Sequence, residues 1–68
     1  MAHDLAHYTG GGPVPNSALW HVQSALMWGK FALESLNRGD AEWEVVRNAK
    51  CAAAHAFRAI ELTPECQR

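Results

Sequence analysis

The fold class this 68-residue sequence predicts is all-α: a two-helix antiparallel hairpin, paired with a second copy into a four-helix-bundle homodimer. Three observations predict it. Two long segments repeat apolar residues at helical spacing. A short turn, Asn37-Arg38-Gly39-Asp40, separates them. Each segment is also apolar over a wider arc than one neighbouring helix can cover.

The first segment is Ser17 to Leu36, SALWHVQSALMWGKFALESL. At about 100° per residue, Leu19, Val22, Leu26, Leu33 and Leu36 form one aliphatic stripe, with Ala25, Gly29 and Ala32 between them. Trp20, Met27 and Phe31 form a second stripe well round the helix, and Trp28 and His21 lie on the far side from the aliphatic one. The helix is expected over residues 17–37, capped by Asn16 or Ser17 behind Pro15. Lys30, Glu34 and Arg38 make a solvated charge ladder. Gly29 interrupts the aliphatic stripe at a cost of about 1 kcal/mol against alanine, which predicts close approach of another helix there.

In the turn over 38–40, Gly39 suits the left-handed position that ends a helix, and Asp40 suits the cap of the next. So short a connection predicts antiparallel neighbours. The second helix is expected over 41–62, ending before Thr63-Pro64, with Glu42 and Glu44 at its positive end. Its bulky stripe is Trp43, Val46, Ala53, Phe57 and Ile60; a thin stripe holds Ala41, Val45, Ala49, Ala52, Ala56 and Ala59. Glu44, Arg47, Asn48, Cys51, His55 and Arg58 make up the rest. The aliphatic stripe of the first helix and the bulky stripe of the second are complementary, and the expectation is that they close the hairpin.

Residues 1–16, MAHDLAHYTGGGPVPN, read as a flexible N-terminal arm punctuated by Gly10, Gly11, Gly12, Pro13 and Pro15, and residues 63–68 as a tail. His3 and His7 would share a face if the arm were helical, a weak metal signal.

Composition removes several function classes. Six basic and seven acidic residues, interspersed for a net charge of −1, are not the footprint of a nucleic-acid binder. No apolar run reaches the roughly 18 residues of a membrane span, and no secretory leader is legible, so the expected compartment is the cytoplasm. Cys51 and Cys66 do not make a disulfide framework. A chain this short buries only about 60% of its unfolded surface and usually gains a staple or a partner.

No residue set names a reaction. There is no phosphate loop, no carboxylate pair placed for a pocket and no oxyanion donor beside Cys51 and His55, so an enzyme is not expected and no cofactor is implied. Cys51 and His55, four apart, put two soft metal ligands on one side of a helix, and a dimer would bring two such pairs together. His21 beside Trp20 and Trp28 is placed to titrate against an aromatic wall. Trp20, Met27, Trp28 and Phe31, with His21 at the edge, have the aromatic and methionine character of a protein docking surface.

The run Ala59-Ile60-Glu61-Leu62-Thr63-Pro64, at the end of Ala52 to Pro64, resembles the closing half of a tetratricopeptide repeat. Upstream the register fails. The repeat's small first-helix position falls on Asp40, its early tryptophan on Leu36 and its turn on Arg47, and only one copy is present, so the chain is not read as such a repeat. In size and pattern it looks like the short accessory proteins that bacteria and phages encode, an analogy of class. The expected function is a small protein-binding module, such as an inhibitor or regulator of a larger protein. The alternative is a metal- or small-ligand-binding helical dimer using Cys51 and His55.

Overall fold

The computed structural model describes residues 12–63. Residues 1–11 of the proposed arm over 1–16, with His3 and His7, and residues 64–68 of the tail over 63–68, with Cys66, lie outside the described residues. Two helices, α1 (Ala18–Arg38) and α2 (Glu42–Leu62), pack against each other as a hairpin.

Local chemistry sets both ends of α1. Asn16 adopts a left-handed conformation, φ 66°, which asparagine tolerates better than most side chains. Ser17 is then extended and caps the helix: its Oγ accepts from the Trp20 N–H at 3.2 Å and donates to the Val14 carbonyl at 2.7 Å. At the far end Gly39 is left-handed, φ 77°. Its N–H donates to the Leu36 carbonyl at 3.1 Å, and the Asp40 N–H donates to that of Ser35 at 3.0 Å, the paired bonds of a Schellman ending.

Asp40 does not cap α2. The N-cap is Ala41, which makes no side-chain capping bond. The Asp40 carboxylate turns back to the end of α1 because stronger, charge-assisted partners stand there. Arg38 Nη2 donates to Asp40 Oδ2 at 2.6 Å, and Ser35 Oγ donates to the same oxygen at 2.8 Å. Glu42 and Glu44 remain in the first turn of α2, where the helix dipole favours them. At the other end, Thr63 Oγ1 donates to the Ala59 carbonyl at 2.8 Å and the Thr63 N–H to that of Ile60 at 3.1 Å.

The inner face of the hairpin overturns one expectation. The helices do not close through their aliphatic and bulky stripes. The buried residues are Ser24, Ser35, Asn48 and Ala59. Half-buried beside them are Trp20, His21, Ala25, Trp28 and Ala32 of α1, and Val45, Cys51, Ala52 and His55 of α2. On α1, Ser17, His21, Ser24, Trp28 and Ser35 recur at three, four and seven residues, so one stripe faces α2. Asn48, Ala52, His55 and Ala59 do the same on α2. Small side chains let the backbones approach, and the polar ones are satisfied: among the described residues no buried side-chain polar atom lacks a hydrogen bond. Ser35, only 2% exposed, also accepts from Asn48 Nδ2 at 3.4 Å and Arg38 Nη2 at 3.3 Å, which ties α2 to the turn.

The large apolar side chains therefore point outward. Leu19, Val22, Leu26, Leu33 and Leu36 of α1 are exposed, as are Trp43, Val46, Phe57 and Ile60 of α2; Leu26 is 71% and Phe57 70% open. A groove of about 350 Å³ runs between the helices, lined by Val22, Ala25, Leu26, Ala56, Ala59, Ile60 and Thr63. Trp43 and Val46 line a separate cleft on α2 with Arg47 and Cys51, while Val22 and Leu26 of one stripe and Ile60 of the other share the groove face of the hairpin. Gly29 lies along that face, and a methyl group added to it would meet nothing within 4 Å. The expected close helix contact at Gly29 is therefore absent from the hairpin.

Candidate functional site

Two histidines meet where α1 and α2 pack near their open ends. His21, one turn past the Ser17 cap, and His55, in the second half of α2, lie at similar sequence distances on either side of Gly39. Antiparallel packing brings them together. Their Nδ1 atoms are 3.0 Å apart and the rings are tilted by 34° with centroids 5.2 Å apart. One nitrogen must donate and the other accept, so the pair holds one shared hydrogen when both rings are neutral. Trp20 meets both rings edge-on, at 5.0 Å from His21 and 5.7 Å from His55.

This setting disfavours charge on His21. Burial pushes its pKa below the ordinary histidine value of 6.5, and the nearby His55 and Arg58 push the same way. Arg58 is itself paired with Glu61 at 3.1 Å. At the turn, the Arg38 hydrogen bonds and that from Ser35 hold the Asp40 carboxyl below the usual carboxylate range, and Asp40 correspondingly raises Arg38.

The residues singled out by sequence divide between two surfaces. His55 stands against His21 on the inner face instead of the polar outer one. Cys51 carries a free, half-buried thiol. Among the described residues no group of three or more His, Cys, Asp or Glu could hold a metal ion. Trp20 and His21 contribute to hairpin closure. Trp28 is half-buried between Ser24 and Ser35 on the α2-facing stripe, edge-on to Phe31 at 5.6 Å and 90°. Trp20 and Trp28, expected with Met27 and Phe31 to be anchors not needed for hairpin closure, are half-buried here, while the branched aliphatics are turned out. Met27 and Phe31 remain exposed. Trp43, stacked under the Arg47 guanidinium at 5.4 Å, is a further exposed aromatic.

The meeting of His21 with His55 escaped sequence reasoning, although a signal was present. Each shares its heptad row with a buried polar residue, His21 with Ser35 two heptads on and His55 with Asn48 one heptad back, and each is similarly far from the turn. No family model matches the chain, and neither does any curated protein or solved structure.

Proposed function

We propose that this chain is a small non-enzymatic protein-binding module that works as a paired hairpin, a homodimer of four-helix-bundle type, and acts as a regulator or inhibitor of a larger protein. One observation supports the reading above others: the hairpin closes on serine, asparagine, alanine and flat rings and leaves its branched aliphatics exposed, with Val22, Leu26 and Ile60 along one groove. Each large apolar side chain left in water forgoes roughly 1.5–3 kcal/mol, comparable in sum with the stability of a small domain. Aliphatic area of this kind, in one patch, suits a second copy. Met27 and Phe31, with Trp20, Trp28 and His21 behind them, make the smaller aromatic edge for a different protein, where a few anchors can carry the binding.

The two roles are separable by experiment. A dimer melts at a temperature that rises with protein concentration. The chain immobilised through its C-terminus should retain a partner from its own host's extract, and the Met27→Ser, Phe31→Ser double variant should lose that partner while keeping its concentration-dependent melting. Equal retention by both chains would move the docking surface elsewhere.

A further inference from the structure

We propose that His21 and His55 form a two-imidazole clamp between α1 and α2 for a divalent transition-metal ion of the zinc type. The geometry carries it. Two imidazole nitrogens bound to one ion at about 2.0–2.1 Å stand about 3.3 Å apart in a tetrahedral shell and about 2.8 Å apart as square-planar neighbours. The observed Nδ1 separation of 3.0 Å falls between these values. The two nitrogens face each other from opposite helices with ring centroids 5.2 Å apart, so each ring has to tilt for both lone pairs to meet on one ion, with little change in their separation.

The exchange balances without releasing a proton. In the neutral pair one ring carries its hydrogen on Nδ1. Moving it to Nε2 leaves both Nδ1 lone pairs free for the ion, with each ring still neutral. Burial, the neighbouring His55 and Arg58 all disfavour charge on His21, in the direction that a metal ligand needs. The same arginine opposes a cation, but Glu61 pairs with it at 3.1 Å. Trp20 packs edge-on against both rings and fixes their planes. Two protein ligands leave the remaining positions to water, in keeping with the absence of a three-residue cluster among the described residues. An ion held this way links residues 34 apart in sequence and stabilises the folded hairpin. The inference rests on the geometry of the single chain and stands independently of the dimer and of the docking reading.

The test uses the full chain with His3→Ala and His7→Ala, which leaves His21 and His55 as its only imidazoles. Zinc chloride is titrated at pH 7.5 while the ring resonances are followed by NMR. Both rings should shift together and saturate at one zinc per chain, the melting temperature should rise, and EDTA should reverse both effects. His55→Ala should weaken zinc binding at least tenfold, while Cys51→Ser should leave it in place. Movement of neither ring, or of only one, would overturn the clamp, as would zinc binding that survives His55→Ala. Should His55→Ala fail to fold, the ring resonances of the parent decide by themselves.

Discussion

The Nδ1 atoms of His21 and His55 share one hydrogen across 3.0 Å, which makes a histidine pair, not a leucine contact, the polar joint between the two helices near their open ends. The pair cannot carry its full complement of four ring protons, because both facing nitrogens would then be donors. Acid should therefore loosen the hairpin. Above about pH 6.5 His21 is neutral folded or unfolded, and no penalty applies. As pH falls through 6.5 the unfolded chain takes up a proton that folded His21, with its lowered pKa, resists, so stability falls with pH in that range. The Asp40 carboxyl, also lowered, contributes stability that is lost only further down, as pH falls below its ordinary 3.8. The urea midpoint should be lower at pH 5.5 than at 7.5, and His21→Gln should flatten that dependence. An equal midpoint at both values would show that the two rings do not meet in solution.

Ser35 is the most buried side chain in the hairpin and serves Asp40, Arg38 and Asn48 together. Ser35→Ala removes the shared oxygen and leaves the Asn48 amide short of an acceptor. Chemical denaturation should show a loss of about 1–3 kcal/mol, the usual cost of orphaning a buried polar group. A neutral result would mean that water replaces the hydroxyl at the turn.

Gly29 has open space where a Cβ would stand. Gly29→Ala should therefore raise the melting temperature, by an amount corresponding to at most about 1 kcal/mol of helix propensity. A fall would place the backbone of another chain against this position, the only remaining source of the close contact that a mid-helix glycine suggests.

Trp28 is half-buried on the stripe that faces α2 and edge-on to Phe31. From its place towards the polar side of the helix, Trp28 is expected to be the anchor least involved in dimerisation, whose loss would weaken partner binding and leave the dimer mass and melting curve nearly intact. The structure reverses that expectation: Trp28→Ala should destabilise the hairpin by about 2 kcal/mol, somewhat less than the loss of a fully buried tryptophan. Thermal melts of Trp28→Ala beside Met27→Ala, an exposed neighbour, should separate a large effect from a small one.

These positions also show what was legible in the sequence. The two helices and their antiparallel hairpin followed from periodicity, from the serine that could cap α1 and from a glycine that could end it, all local chemistry. The inner face did not follow. Apolar periodicity reports which faces avoid water, not which neighbour covers them, and Leu26 and Phe57 belong to stripes that match each other as well as they match another chain. Asn48 was placed on the polar face of the second helix because its bond to Ser35, thirteen residues away, is tertiary. Asp40 read as a helix cap because that role is local, and it lost the role to a guanidinium two residues away. The site was half legible for the same reason. His21, Cys51 and His55 stood out by residue type, but pairing His21 with His55 required the register between the helices.

The central claim is that the outward aliphatic face is covered by a second copy. Sedimentation equilibrium at micromolar concentration, on the parent chain and on Leu26→Lys, tests it most directly. Leu26 is 71% exposed in the hairpin, so a lysine there costs the single chain little. The account predicts twice the 7.5 kDa chain mass for the parent and the single-chain mass for a still-helical Leu26→Lys. A parent chain that is folded and sediments at 7.5 kDa would contradict it.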